Sequence, residues 1–214
     1  MALNRLLDDL MTTVFPLVCP CGAPAGGGAP CCVRCASTVR AAPVTPPPAG
    51  VDWWVAPYAY VGVVRELVAR AKYRDQRAAI TWLASATARA IATDRAREVD
   101  IVTWAPASRR RRRANGVDHA AVLARAVARE LRLPVMELLL RDDGAPQTGA
   151  GRERRRTGPA LTTRGRIAGR HVVVVDDVAT TGATLTAAAR VLRDAGAIGV
   201  AAATATRTPR PGDD

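Results

Sequence analysis

The residues best suited to chemistry stand together in residues 172–185, which read VVVVDDVATTGATL. Asp176 and Asp177 come directly after four valines. A turn of small and hydroxylated residues follows: Ala179, Thr180, Thr181, Gly182, Ala183 and Thr184. A helical pattern then occupies residues 185–194. Backbone N–H groups and hydroxyls at the start of a helix stabilise an anion, so this stretch predicts a phosphate-binding loop.

The acid pair makes the predicted ligand more specific. Two carboxylates beside a phosphate would repel it, unless they contact a different part of the same molecule. A ribose 5-phosphate meets this condition, because Asp176 and Asp177 can accept hydrogen bonds from its 2- and 3-hydroxyls while the loop binds its 5-phosphate. Two other interpretations are open: the pair binds Mg²⁺, or the turn caps a helix without any ligand.

A buried strand must carry the acid pair. Four consecutive β-branched residues are typical of a central strand in a parallel sheet, which is covered on both faces. The residue pattern predicts further strands at residues 53–61, 101–105, 135–140 and 198–205. It predicts other helices at residues 63–73, 78–93 and 115–131. This alternation indicates an α/β fold with a parallel sheet flanked by helices.

Five cysteines near the N-terminus form a second group with possible chemistry. Cys19 and Cys21 make a short first knuckle, while Cys32 and Cys35 have the C-x-x-C spacing that is usual for zinc. These four are the predicted ligands of a structural Zn²⁺, since four thiolates leave no open position for catalysis. Cys31 is spare. Free or degenerate cysteines are the alternative, because the first knuckle is one residue short.

Cationic residues provide candidate ligands for further phosphates. Residues 109–113 are five arginines in a loop predicted after the strand at 101–105, and ligands bind at that end of parallel strands. Arg109 and Arg113 could hold a pyrophosphate or a nucleic-acid backbone, or simply be solvated. Residues 141–169 form a long polar stretch that includes Arg154, and such a stretch is typical of a lid. Disorder is the alternative for this stretch.

Composition limits the class of protein. The chain has 214 residues, a net charge of +12 and 31 basic residues, of which only Lys72 is a lysine. We attribute that arginine excess to a global bias rather than to nucleic-acid binding. No apolar run reaches the length of about 18 residues needed to span a membrane. The N-terminus does not read as a signal peptide, so a cytoplasmic location is expected.

Three units are predicted along the chain. Residues 1–42 contain an amphipathic helix, ended by Pro16, and the cysteine segment. Residues 43–52 are a proline-rich linker, and residues 53–214 form the main domain.

The order of these features resembles the ComF family, whose name links it to competence for DNA uptake. The resemblance covers nearly the whole chain. It rests on Cys32-x-x-Cys35, Ala71-Lys72-Tyr73-Arg74, the Ala105-Pro106 turn, Gln147, Arg154 and residues 172–185. It implies a type I phosphoribosyltransferase fold that binds 5-phosphoribosyl-1-pyrophosphate (PRPP), with a zinc-ribbon-like segment at the N-terminus. Residues 115–120 read NGVDHA where the family commonly has RGFNQA, and Thr157 replaces a family asparagine. These departures bear on the second-substrate pocket.

The resemblance implies two functions of different classes. In the first, PRPP binds with Mg²⁺, and a nitrogen nucleophile of unknown identity displaces its pyrophosphate. Lys72, Arg109, Arg113 and Arg154 are the candidate residues of the pyrophosphate site or the lid. In the second, the protein is a non-catalytic adaptor in DNA uptake or processing. It would then bind single-stranded DNA, or DNA-processing proteins, through its arginine loops.

Overall fold

The computed structural model describes residues 17–26, 28–73, 77–93, 98–142 and 158–210. Several predictions concern residues outside these ranges. They are the N-terminal helix that ends at Pro16, the lid residue Arg154, and the motif positions Gln147 and Thr157.

One parallel sheet forms the centre of the domain. Its strands are β1 (Trp54–Val55), β2 (Tyr58–Ala59), β3 (Ile101–Trp104), β6 (His171–Ala179) and β7 (Gly199–Arg207). Their order is β1–β7–β6–β3, and β2 continues along the same edge of β7. All of these pairs are parallel. A separate antiparallel pair consists of β4 (Leu139–Arg141) and β5 (Leu161–Thr163).

The described helices are α1 (Val33–Ala36), α2 (Gly62–Tyr73), α3 (Arg77–Ala92), α4 (Arg109–Asn115), α5 (His119–Leu131) and α6 (Ala183–Asp194). Four of them, α2, α3, α5 and α6, cover the two faces of the sheet. Helices α2, α3 and α5 share a core with Val173 and Val175, whereas α6 shares another with Val172 and Val174. Alternate side chains of a strand point to opposite faces, so β6 lies between the two cores.

Burial of the valines confirms the strand prediction. Residues 172–175 are each at most 1% exposed. Such burial on both faces requires β-branched or similarly apolar side chains at every position, which explains the absence of polar alternation before Asp176. The sheet therefore presents the acid pair near the carboxyl end of a central strand.

The structure corrects the sequence prediction between β3 and α5. The five arginines, predicted as a loop, form the helix α4, and the predicted helix at 115–131 begins only at His119. Ser108 caps α4, because its hydroxyl accepts a hydrogen bond from the backbone N–H of Arg111 at 3.3 Å. Gly116 then ends the helix with a left-handed φ of 71°. These two local signals outweigh the repulsion among the arginines.

The predicted strand at 135–140 is also largely wrong. Val135 makes only an isolated parallel bridge with Val102. The chain then leaves the main sheet, and Leu139–Arg141 pairs with β5 instead. An apolar run alone does not distinguish these two outcomes, because both bury the same side chains.

The proline-rich segment is held against the main domain near both of its ends. The Arg207 side chain donates a hydrogen bond to the carbonyl of Pro43 at 3.2 Å. Asp52 forms an ion pair with Arg193 and accepts the backbone N–H of Val200 at 2.8 Å. The segment is thus fixed beside α6 and β7. That residues 43–52 are a linker between two separate units stays a prediction.

Within the described ranges, no helix combines the length and apolar character that crossing a bilayer requires.

Candidate functional site

The acid pair lies at the carboxyl end of β6, where the neighbouring strand holds its backbone. The Thr206 hydroxyl of β7 donates to the carbonyl of Asp177 at 3.0 Å. The backbone N–H of Asp177 donates to Oδ1 of Asp176 at 2.8 Å. Both carboxyl groups are partly buried. Two acids are therefore held side by side at the sheet edge where parallel α/β folds bind ligands.

Lys72 contacts this acid pair directly. Its Nζ forms an ion pair with Oδ2 of Asp177, and the two side chains are 23% and 22% exposed. Lys72 is near the end of α2, on the face of the sheet toward which Asp177 points. Packing of α2 thus brings one of the predicted pyrophosphate residues to the predicted ribose site.

Asp176 has an unusual protonation equilibrium. Burial raises the pKa of its carboxyl group to about 8, and the charge of Asp177 acts in the same direction. The backbone N–H of Asp177 and the ammonium of Lys72 lower this pKa, but they do not offset the burial. Asp118, the N-cap residue of α5, adds a further negative charge that raises it. Burial and the neighbouring carboxylate therefore oppose the charged form of Asp176 in the ligand-free site.

This pKa predicts how stability depends on pH. The unfolded pKa of an aspartate is about 3.9. Because the folded value is higher, the folded state binds more protons between about pH 4 and pH 8, and its stability falls as pH rises through that window. We expect Asp176→Asn to remove this loss. The free energy of unfolding of the variant, relative to the parent protein, should rise by a few kcal/mol from pH 5 to pH 8.

Denaturant unfolding at several pH values measures the difference. The contribution of the many other titrating groups cancels when the two proteins are compared at each pH. Parallel curves for the two proteins would show that Asp176 titrates normally in the folded state.

The loop after the acid pair has the geometry of an anion site. Gly182 is the N-cap residue of α6, with a left-handed φ of 78°. It has no side chain to occupy the backbone N–H groups of the first turn. The Thr181 hydroxyl accepts the N–H of Ala183 at 3.3 Å, and the side chains of Thr180 and Thr181 are exposed. A helix start of this kind favours a phosphate.

A proline outside the motif forms one wall of this loop. A Cβ placed on Gly182 would come 3.0 Å from Cγ of Pro48. Pro48 belongs to the segment predicted as a linker, and no sequence signal linked it to the loop. Glycine is thus required at 182 both for its φ and for its contact with this wall.

Gly158 provides a test of how tightly the start of α6 is packed. A Cβ on Gly158 would lie 2.5 Å from the carbonyl oxygen of Ala183. Gly165 has the same φ of 75°, but no atom of the described residues lies within 4 Å of such a Cβ. We expect Gly165→Ala to cost about 1–2 kcal/mol of stability from backbone strain alone. Gly158→Ala should cost about 1–3 kcal/mol more, because a backbone carbonyl must move.

Denaturant unfolding of both variants gives this comparison. The loss of chain entropy in the unfolded state is the same for the two substitutions and cancels in the difference. Equal losses of stability in the two variants would mean that Gly158 is not closely packed against the first turn of α6.

The predicted arginine ligands take different positions. Arg109 and Arg113 are exposed on α4. Helix α4 follows β3, whose register with β6 is parallel, so it begins at the same sheet edge as the acid pair. Unlike Lys72, these two arginines do not contact Asp177 in an ion pair within the described part of the chain. Both arginines therefore lie at the sheet edge that carries the acid pair, with their side chains exposed to solvent.

A cleft beside the ion pair includes a residue that the sequence did not single out. Lys72, Asp177 and His119 line it together with an apolar wall of Val68, Ala71, Ile80, Leu83 and Leu123. The cleft is narrow and partly open to solvent. His119 is the first residue of α5, and a histidine following an N-cap aspartate gives no local sign of such a position.

The cysteine segment brings four thiols together. The Sγ atoms of Cys19, Cys21, Cys32 and Cys35 all lie within 4.8 Å of one another. The Sγ atoms of Cys21 and Cys32 are 3.8 Å apart. A tetrahedral Zn²⁺ with bonds of about 2.3 Å requires sulfur–sulfur distances of about 3.8 Å, so the four thiols fit this metal. Cys31 is buried and is not a member of the cluster.

The thiols of this cluster influence one another's protonation. Burial acts to raise the pKa of Cys19, but hydrogen bonds from the backbone N–H groups of Cys21 and Cys32 and from neighbouring thiols lower it to about 6. Hydrogen bonds to Cys19 and Cys21 raise the pKa of Cys35 to about 12. A lowered pKa favours the thiolate that a metal needs.

Comparison with known proteins identifies the C-terminal part of the fold. The family model described as "Phosphoribosyl transferase domain" matches residues 117–213, which include α5, the acid pair and the loop. The predicted fold class, a parallel sheet flanked by helices of the phosphoribosyltransferase type, is confirmed. The matched residues exclude the cysteine segment and Lys72. Membership of the ComF family stays a prediction. No curated protein sequence matches the chain.

Solved structures that resemble this chain include three enzymes. The allosteric regulatory enzyme of purine biosynthesis is 25% identical, with a TM-score of 0.41. Glutamine PRPP amidotransferase from B. subtilis is 24% identical, with a TM-score of 0.42. Each match covers 59% of this chain and 26% of the enzyme, so the chain spans about a quarter of their length. Purine phosphoribosyltransferase from Pyrococcus horikoshii is 18% identical, with a TM-score of 0.38 and coverage of 59% and 71%.

Proposed function

We propose that this chain binds PRPP with Mg²⁺ at the carboxyl end of β6 and transfers its phosphoribosyl group to a nitrogen nucleophile, releasing pyrophosphate. The observation that carries the proposal is the acid pair followed directly by a glycine-capped helix start. One ligand must satisfy hydroxyl-binding carboxylates and a phosphate-binding loop that are a few residues apart. A ribose 5-phosphate group has both features at that spacing.

The loop would hold the 5-phosphate. Its ligands would be the hydroxyls of Thr180, Thr181 and Thr184 and the backbone N–H groups of the first turn of α6, with Ala179, Gly182 and Ala183 shaping the turn. Asp176 and Asp177 would accept hydrogen bonds from the ribose hydroxyls. Hydrogen bonds to a charged carboxylate are stronger than those between neutral groups. Asp177 would therefore supply much of the orientation of the ribose, and Asp176, whose raised pKa disfavours its charged form, would supply a smaller part.

The acid pair fits a sugar better than a bare metal ion. Lys72 already neutralises Asp177, and the raised pKa of Asp176 disfavours its anionic form. Both effects oppose direct coordination of a divalent cation by the pair. Mg²⁺ would instead be held by the pyrophosphate oxygens of PRPP, where it would neutralise charge on the leaving group.

The transfer reaction would depend on position and charge. The bond from C1 of the ribose to the pyrophosphate oxygen breaks, and pyrophosphate leaves with its electron pair. A bond from the nitrogen to C1 forms, and the proton carried by that nitrogen leaves to solvent. Lys72 and the arginines at this edge, Arg109 and Arg113, would stabilise the negative charge that develops on pyrophosphate. Arg154, outside the described residues, stays a candidate for a lid.

The order of cysteine segment, Lys72 and phosphate loop favours a ComF-type protein within this class. Zn²⁺ would be held by Cys19, Cys21, Cys32 and Cys35 and would supply structural stability rather than chemistry.

A second candidate function follows from α4. Four of its five arginines are exposed on one short helix, and exposed cations of this kind could contact a nucleic-acid backbone. In this reading the protein is an adaptor that binds single-stranded DNA. Engagement of five phosphates would give a log–log dependence of affinity on salt with a slope of about −3 to −4.

One pair of titrations distinguishes the two. Mg²⁺–PRPP is titrated calorimetrically into the full chain, and a fluorescent oligonucleotide is titrated at several salt concentrations. Saturable binding of one PRPP per chain supports the transferase, and a screen of nucleobases and amines for pyrophosphate release then follows. No heat from PRPP with a folded, zinc-loaded chain would overturn the proposal. DNA binding with a steep salt slope would then favour the adaptor.

A further inference from the structure

The ion pair between Lys72 and Asp177 places a cation on a carboxylate that the ribose is proposed to use. The backbone of Asp177 is fixed on both sides. Its carbonyl accepts the hydroxyl of Thr206, and its N–H donates to Asp176. Lys72 has more freedom, because its side chain borders the partly open cleft between α2, α3 and α5. If the pair separates, the lysine is the partner that can move.

The residue type supports this reading. Lys72 is the single lysine among 31 basic residues, in a chain that uses arginine elsewhere. An arginine beside a carboxylate forms a fixed, two-pronged contact. A lysine is a compact charge on a flexible stem and can exchange one anionic partner for another. The one position where this chain keeps a lysine is the one where a cation lies on the acid pair.

The geometry of the ligand connects this cation to the leaving group. In the proposed complex the acid pair contacts the 2- and 3-hydroxyls, and C1 is bonded directly to C2. The substituent on C1 therefore lies within a few ångströms of Asp177 and of the ammonium that contacts it. In PRPP that substituent is a pyrophosphate. In ribose 5-phosphate it is a hydroxyl.

We infer that the Lys72–Asp177 ion pair makes the site selective for ribose phosphates that carry an anion at C1. A ribose hydroxyl competes with Lys72 for Oδ2 of Asp177. With PRPP the displaced ammonium finds a new anionic partner in the pyrophosphate. With ribose 5-phosphate it finds none, so binding leaves a partly buried ammonium without its partner. This inference rests on the proposed function.

The single lysine makes the exchange directly observable. Reductive methylation with ¹³C-formaldehyde keeps the charge of an amine and labels only Lys72 and the N-terminus, so the NMR spectrum has two dimethylamine signals. We expect saturating Mg²⁺–PRPP to shift the Lys72 signal. Saturating ribose 5-phosphate should move it to a different position, because the ammonium then leaves Asp177 without gaining an anionic partner. The experiment uses the full chain and needs no substitution.

Affinities give an independent measurement. The parent protein should prefer PRPP to ribose 5-phosphate by about 100-fold or more, since a charged contact is gained only with PRPP. Lys72→Met should reduce this preference by about 10-fold or more, by weakening PRPP binding while leaving ribose 5-phosphate unchanged or tighter. Arg65→Met removes an exposed cation from the same helix and should leave the preference unchanged.

The outcomes separate this inference from the proposed function. If PRPP binds but the Lys72 signal does not move, or if Lys72→Met weakens both ligands equally, the exchange of partners is wrong and PRPP binding stands. If PRPP does not bind the folded parent protein, the proposed function fails, and the inference fails with it.

Discussion

Replacing both Asp176 and Asp177 by asparagine should reduce PRPP affinity by about 30- to 2,000-fold. Each aspartate is proposed to accept a hydrogen bond from a ribose hydroxyl. A bond to the charged Asp177 contributes about 1.5–3 kcal/mol, and a bond to Asp176, whose raised pKa favours its neutral form, contributes about 0.5–1.5 kcal/mol. Asparagine keeps the shape of the side chain, but its amide is a weaker acceptor and half of it is a donor. The loss should appear as weaker PRPP binding in calorimetry with the fold intact.

The single variants should differ from each other in the absence of ligand. Asp177→Asn removes the partner of Lys72 and leaves a partly buried ammonium, so we expect lower stability. Asp176→Asn removes a carboxyl group whose pKa is already raised, and stability at pH 8 should increase. If both variants changed stability equally, the assignment of the ion pair to Asp177 would be wrong.

A matched control keeps the charge change constant. Asp194→Asn also removes one carboxylate, at the exposed end of α6 away from the acid pair. We expect it to leave PRPP affinity within about twofold, because its effect is screened by solvent. Comparable losses in Asp194→Asn and in the double variant would mean that net charge, rather than a ribose site, controls binding.

Cys19→Ala should abolish zinc binding, whereas Cys31→Ala should retain one zinc per chain. Both cysteines are buried, so the two substitutions create cavities of similar size. Only Cys19 belongs to the cluster of four thiols. The comparison therefore isolates the metal from the loss of packing. Elemental analysis of the purified proteins measures the zinc content.

Loss of zinc should also reduce stability. The guanidinium of Arg70 on α2 contacts the carbonyls of Val18 and Cys19, so the cysteine segment is joined to the main domain. Structural zinc sites supply several kcal/mol of folding free energy in small domains. We expect a chelator to lower the melting temperature of the parent protein and of Cys31→Ala, but not of Cys19→Ala. Equal zinc content in the two variants would exclude the predicted ligand set.

The sequence by itself determined those features that depend on neighbouring residues. Four valines in succession can be buried only between two layers, and this property predicts a central parallel strand. The order of acid pair, glycine and helix is contiguous, so the residue pattern alone is enough to recognise the loop. The cysteine cluster was likewise predictable, because two knuckles and a short connection restrict where the thiols can meet.

Helix capping and long-range strand pairing explain the two places where the sequence prediction failed. A run of five arginines reads as a solvated loop, yet the cap at Ser108 and the stop at Gly116 make it a helix. The apolar run at 135–140 was assigned to the main sheet, although the pairing of β4 with β5 takes it elsewhere. Strand pairing between distant segments is decided by which partners are available, and a sequence window does not contain them.

Only the tertiary structure decided how distant residues meet at the site. Lys72 reaches Asp177 because α2 packs on the face of β6 that bears the odd-numbered residues. His119 lines the same cleft, and Pro48 lies beside Gly182, although both residues are far from the motif at 172–185 in the sequence. The raised pKa of Asp176 arises from burial and from the charges around it, all of which exist only after folding. The residues of the loop are thus contiguous in the sequence. The pKa values and charges at the site, however, depend on helices that pack against it from distant parts of the chain.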